Sequence, residues 1–173
     1  MRPWEKLHAR WIEHGYEGGT IRNSHLPLDK CGAPLPSEES IQAIEQRLGL
    51  PLPADFRDHL LQLPLVDGDG IDGGDELLVF WTAERVATVA ELNYRQWYHP
   101  GRSETYLVFC DYLLDCWAWA IECGPNENHG KIALLSSPES ELFVFQSFEE
   151  LVEAYVSASD DLEFACYGAP RRA

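Results

Sequence analysis

The stretch SEESIQAIEQRLGLPLPADFRDHLLQL, Ser37–Leu63, reads as two helices joined by a proline-clamped turn. Ile41, Ile44 and Leu48 fall at i, i+3 and i+7, one face of an α-helix. Ser37 suits the N-cap, and Glu38 and Glu39 stand in the first turn, where the helix dipole favours negative charge. Gly49 can take the left-handed position that ends a helix. Leu50-Pro51-Leu52-Pro53 cannot continue it, because each proline lacks an N–H and turns the preceding residue away from helical geometry. Pro53 suits the first position of a second helix, on which Phe56 and Leu60 stack at i, i+4 beside Leu61 and Leu63. Both apolar faces are expected in a core, where truncating Leu48 or Phe56 to Ala would cost about 2–5 kcal/mol.

Outward from this pair the chain alternates strands and helices. On the N-terminal side, Trp4, Leu7 and Trp11 are spaced for a short helix, followed by a long polar connection to residue 36. On the other side, Leu77–Trp81 is a short apolar strand, and Thr82 can cap a helix to about Asn93 with Val86, Val89 and Ala90 inward. Strands follow at Thr105–Cys110 and Asp115–Cys123. In the second, Trp117, Trp119 and Ile121 alternate with Cys116, Ala118 and Ala120, which sets large groups on one face and small ones on the other. Lys131–Leu135 and Glu141–Phe145 form a hairpin around Ser-Ser-Pro. Ser147-Phe-Glu-Glu150 is a capping box opening a helix through Val156.

The fold expected is α+β: a single mixed or antiparallel sheet of about five to six strands, with the helices of Ser37–Leu63 and Ser147–Val156 packed on one face. Residues 1–173 read as one domain, with 1–36 an N-terminal extension, 37–158 the core and 159–173 a C-terminal tail.

Composition narrows the function. Hydrophobic content of 45% with 12% aromatics fits a globular chain. No run approaches the roughly 18 apolar residues of a membrane span. The first residues, MRPWEKLHARWIEHGYEGG, lack a signal-peptide apolar segment, so a cytoplasmic protein is expected. Cys31, Cys110, Cys116, Cys123 and Cys166 form no CxxC pair, which argues for buried reduced thiols over a disulfide scaffold or structural zinc. Residues 1–63 carry 7 basic and 9 acidic side chains and residues 64–173 carry 6 and 20, so the formal charge of −16 divides as −2 and −14. Such a surface repels nucleic acid and anionic membrane and steers basic partners, unless it serves solubility alone.

Enzyme signatures are weak. G-x-S-x-G, the P-loop, GxGxxG and HExxH are absent from the sequence. His8, His14, His25, His59, His99 and His129 are scattered, no cofactor or metal is implied, and His59 is expected to be exposed or hydrogen-bonded. The acidic run Asp67-Gly-Asp-Gly-Ile-Asp-Gly-Gly-Asp75-Glu76 fails the EF-hand pattern, because Ile71 and Asp72 stand at positions 5 and 6. Asp111 and Asp115 are the best-placed carboxylate pair for a hydrolase, although a structural or partner-facing role suits Asp111 better.

Several of these segments together resemble the SUKH superfamily of Smi/Knr-type domains. The form I-x-x-x-E-x-x-L-G, then L-P-x-x-F/Y-R, is matched by Ile41, Glu45, Leu48, Gly49, Leu52, Pro53, Phe56 and Arg57. An aromatic-Asp segment resembles Phe109–Asp115, and the final S-F-x-E/D helix resembles Ser147–Val152. The resemblance implies the fold already described. For its bacterial branch it also implies a non-enzymatic immunity protein that binds a secreted toxin, often a nuclease. A regulatory scaffold of the fungal cell-wall type is the alternative, weakened because its long disordered flanks have no counterpart here.

The expected partner is a protein toxin with a basic surface. Its contacts are expected at Asp67, Asp69, Asp72, Asp75 and Glu76, at Asp111 and Asp115, and at exposed rings among Trp97, Tyr98, Tyr112 and Trp117. Rim carboxylates would speed encounter, while aromatic anchors in a desolvated centre would hold the complex.

Overall fold

The computed structural model describes residues 2–14, 17–18, 34–63, 71–72, 78–93, 101–112, 117–137 and 140–157. In chain order these form α1 (Pro3–His14), β1 (Glu17–Gly18), α2 (Glu38–Leu48), α3 (Ala54–Gln62), β2 (Ile71–Asp72), β3 (Leu78–Phe80), β4 (Ala87–Thr88), α4 (Val89–Leu92), β5 (Tyr106–Tyr112), β6 (Trp117–Glu122), β7 (Ile132–Ser137), β8 (Ser140–Phe145) and α5 (Phe148–Val156). The fold is α+β. Every strand pairing is antiparallel, in the open order β1-β2-β3-β5-β6-β7-β8, with β4 beside β3 on the same edge of β5. The expected sheet is this one: β3 and β5 to β8 carry it, and the two-residue β1, β2 and β4 lengthen it.

The helix pair is built from the local chemistry of its sequence. Ser37 caps α2 by accepting from the Ser40 amide at 3.1 Å. Gly49 ends α2 at φ 66°, a left-handed conformation that costs a glycine nothing. Glu45 then reaches across the turn. Its carboxylate accepts from the Leu52 amide at 3.0 Å and lies 3.9 Å from Arg57 on α3. Arg57 also pairs with Glu38, so α3 is tied to both ends of α2. With the pair so fixed, Phe56 is fully buried, 5.2 Å from the rings of both Phe109 on β5 and Phe148 on α5. Ser147 caps α5 through the Glu150 amide, while the Glu150 carboxylate accepts from the Gln146 amide, one residue earlier than a standard capping box.

On the sheet, Trp119 and Ile121 alternate with Ala118 and Ala120, and all four are buried. The β5–β6 register shifts between Val108 and Cys110, a bulge at Phe109.

The helix expected from Thr82 to Asn93 is not formed. Residues 82–86 make a turn, closed by Arg85 and Val86 amides donating to the Thr82 carbonyl at 3.0 and 3.2 Å. Ala87 and Thr88 then return to the sheet opposite Val108 and Leu107. Only Val89–Leu92 is helical, with Thr88 and Glu91 forming a reciprocal capping box. Val86 and Val89 are buried as expected, whereas Ala90 is exposed. Strand pairing to β5 outcompetes the helical period here, and Asn93 at φ 55° stops the short helix.

α1 lies across α3 and α5, with Leu7 fully buried. His59, expected to be exposed or hydrogen-bonded, is 1% exposed beneath it, its ring 4.7 Å from Phe148 and 6.4 Å from His8. Cys110 and Cys123 are buried free thiols, and burial followed by the nearby Glu122 and Glu45 pushes the Cys123 thiol far up. Phe56→Ala is expected to lower the unfolding free energy by about 3–5 kcal/mol, as removal of a fully buried ring does. Leu48, half-buried at the margin of the same core, should cost less when truncated. Urea denaturation of both variants checks the order.

Candidate acidic recognition surface

Arg2, Lys6, Arg47, Arg57, Arg85, Arg102 and Lys131 are each engaged within the chain. Arg2 meets Glu5 at 3.8 Å, and Lys6 of α1 pairs with Glu153 of α5. Arg47 at the end of α2 pairs with Glu91 and donates to the Val86 carbonyl at 2.9 Å. Arg57 holds Glu38 and Glu45. Arg85 lies 3.4 Å from Asp111, and Arg102 lies 3.8 Å from Glu122. Lys131 donates to Asn128 at 2.9 Å.

The negative surplus is therefore left to the solvent. Glu39, Asp58, Glu84, Glu104, Glu127, Glu149 and Glu150 are exposed, and no ion pair to any of them occurs among the described residues. Several gather where helices begin. Glu38 and Glu39 occupy the first turn of α2, Asp55 that of α3, and Glu149 and Glu150 that of α5. The Glu149 amide donates to the Asp55 carboxylate at 3.0 Å, which joins the starts of α3 and α5. The positive ends of the helix dipoles favour negative charge at these positions. A hydrogen bond from Arg57 also holds the Glu38 carboxyl below its ordinary range. The sequence places Glu38, Glu39 and Glu150 at helix starts and does not mark them, with Asp55 and Glu149, as one surface. The signal was present, since each helix opens on acidic residues, but only tertiary packing sets the openings together.

Of the residues expected at the partner surface, Asp72 lies in β2, with its backbone opposite Glu17 and Val79. Asp67, Asp69, Asp75, Glu76, Trp97, Tyr98 and Asp115 lie outside the described residues. Tyr112 ends β5 opposite Leu78 and Trp117. Trp117 is half-buried and packs against the core.

Asp111 requires a correction. It is 3% exposed, accepts from the Trp81 indole N–H and faces Arg85. The Arg85 guanidinium in turn stacks on the Trp81 ring at 4.0 Å. The carboxylate holds the turn at residues 82–86 against β5, so the structural role applies and the rim role does not. The hollow of about 430 Å³ beside the end of α2 is lined by Gln42, Glu45, Gln46, Gly49, Leu50 and Pro51. Its one carboxylate, Glu45, is engaged by Leu52 and Arg57. Among the described residues no group of three or more His, Cys, Asp or Glu is placed to hold a metal, and no helix is long and apolar enough to cross a membrane.

Residues 35–154 match the SMI1/KNR4 family (SUKH-1), and the chain belongs to that family. The match begins just before α2 and ends within α5, so α1 precedes it. A comparison with curated protein sequences finds no match.

Removing the Asp111 carboxylate would leave a guanidinium and an indole N–H without their acceptor. Asp111→Ala is expected to destabilise the fold near the lower end of the roughly 3–5 kcal/mol seen when one partner of a buried pair is removed. Arg85 keeps partial access to water, which limits the loss. Thermal unfolding measures it.

Proposed function

We propose that this SMI1/KNR4-family chain is a non-enzymatic immunity protein that neutralises a toxin domain of basic surface by direct binding in the cytoplasm. The observation that carries this reading is the unequal use of charge. Arg47, Arg57, Arg85 and Arg102 are engaged within the chain, whereas carboxylates at the openings of α2, α3 and α5 face solvent on a protein of formal charge −16. A field of that sign accelerates the approach of a basic domain and disfavours nucleic acid and anionic membrane as partners. A nuclease must itself carry a basic cleft to hold its substrate, so an acidic inhibitor of this family complements that class of toxin in charge. The acidic turn Asp67–Glu76 and the rings Trp97 and Tyr98 remain candidates for the same surface.

The test is association kinetics with the toxin-like product of the adjacent gene across salt concentrations. Glu39→Gln, Asp58→Asn and Glu149→Gln together remove exposed charges outside the fold's ion pairs. Asp67→Asn, Asp69→Asn and Asp72→Asn form a second set. At low salt, neutralising the recognition set should slow association by roughly tenfold and flatten its salt dependence, with dissociation nearly unchanged. Unaltered association and salt response in both sets would overturn the reading. Capture of a wall-synthesis enzyme or kinase in place of a toxin would favour a regulatory scaffold.

A further inference from the structure

The helix that precedes the family-matched segment is held to the molecule through its side chains. α1 rests on α3 and α5 through side chains: Leu7 is fully buried, Lys6 pairs with Glu153, and the His8 ring lies 5.3 Å from Trp4 and 6.4 Å from His59. Among the described residues no backbone hydrogen bond joins α1 to α3 or α5. The chain just beyond α1 is secured separately, because β1 pairs with β2. α1 can therefore lift while its C-terminal end stays tethered.

We propose that α1 is an acid-released strap: protonation of His8 and His59 at the junction of α1, α3 and α5 frees α1 and bares the helix face beneath it. The geometry supplies the mechanism. His59 is 1% exposed among apolar rings, 4.7 Å from Phe148 and 6.2 Å from Phe56. A charge there loses its hydration, and a second charge on His8 repels it across the interface. The other charged or titratable groups on these elements are Glu5, Lys6, Arg10, Glu13 and His14 on α1, with Arg2 just before it, Asp55, Arg57 and Asp58 on α3, and Glu149, Glu150 and Glu153 on α5. Arg2 is engaged by Glu5, Lys6 by Glu153, Arg57 by Glu38, and Asp55 by the Glu149 amide.

The direction follows from linkage. Burial lowers His8 from 6.5 to about 4 and lowers His59 well below its ordinary value, the latter also through His8. Both imidazoles regain their ordinary affinity for protons when α1 lifts. The released state thus binds more protons, so docking is complete above the ordinary pKa and weakens as pH falls from about 6.5 toward 4. The docked-to-released ratio should fall by about tenfold per histidine for each pH unit in that window.

Hydrogen exchange of the full chain, corrected for the intrinsic pH dependence of exchange, tests this between about pH 7.5 and pH 5. Protection across α1 should fall by roughly ten- to a hundredfold per pH unit below about 6.5, while β5, β6 and β7 stay protected. His8→Leu should reduce the pH dependence of α1 protection, and adding His59→Phe should abolish it. Should the His59 variant not fold, His8→Leu decides alone. Constant α1 protection across the range, an unchanged pH dependence in His8→Leu, or loss of α1 only together with the sheet would overturn the proposal.

Discussion

The packing of Phe56 between Phe109 and Phe148 is the contact on which the rest of the molecule depends. Three parts of the chain meet there: α3 from the helix pair, the bulged strand β5 and α5. The ring centroids lie 5.2 to 5.6 Å apart with tilted or edge-on planes, the arrangement that aromatic quadrupoles favour. Phe56 reaches this point only because Gly49 ends α2 and Glu45 clamps the turn to α3. Ile41, Glu45, Leu48, Gly49, Leu52, Phe56 and Arg57 thus have separate physical tasks. Ile41, Leu52 and Phe56 are buried and Leu48 half-buried, Glu45 and Arg57 cross-link the helices, and Gly49 adopts the conformation other residues avoid.

Much of this was legible because it rests on local chemistry. Caps, proline stops and the 3.6-residue period mark α2, α3 and α5 to within a residue or two. The alternation of Trp119 and Ile121 with alanines marks β6. The failures share a cause as well. β1, β2 and β4 each have two residues, too few to display a period, and exist because a neighbouring strand offers partners. The segment after Thr82 has helical spacing, yet Thr88-x-x-Glu91 is the true capping signal, and a helix starting there leaves Ala87 and Thr88 to β5. Asp111 looked like a rim carboxylate because its partners, Trp81 and Arg85, stand far away in sequence. Burial of an acidic residue cannot be read without them.

Charge shows the same division between local and tertiary information. Composition reveals the sign of the surface and nothing of its distribution. The packed chain brings a carboxylate or a side-chain oxygen to Arg2, Lys6, Arg47, Arg57, Arg85, Arg102 and Lys131, and that pairing concentrates the uncompensated negative charge on the outside. Helix dipoles hold part of it at the openings of α2, α3 and α5. Exposed ion pairs such as Arg47–Glu91 contribute little to stability. Their larger consequence is that they remove positive charge from the surface field.

Two carboxylates are buried against partly exposed arginines, and their positions give them a different role. Asp111 stands in the C-terminal half of β5, opposite Ala118, and Glu122 ends β6 opposite Tyr106. They occupy the two ends of the antiparallel pairing at the centre of the sheet. Arg85 meets the first, and Arg102 meets the second while the Gly124 amide donates to Glu122 at 2.7 Å. Gly124 approaches so closely that a Cβ there would lie 2.7 Å from the carboxylate oxygen. A one-residue slip of β5 against β6 would turn every side chain of the slipped strand to the opposite face. Depending on which strand moved, it would carry Asp111 from Arg85 and Trp81, or Glu122 from Arg102 and the Gly124 amide, leaving a carboxyl group without its partners in a dry site. Apolar residues alone do not enforce that distinction here, because Ala118, Trp119, Ala120 and Ile121 are buried on both faces and hydrophobic burial is non-directional. The buried carboxylates supply the direction. They penalise the wrong registers more than they stabilise the right one, and the register they select is the one that places the Phe109 bulge against Phe56.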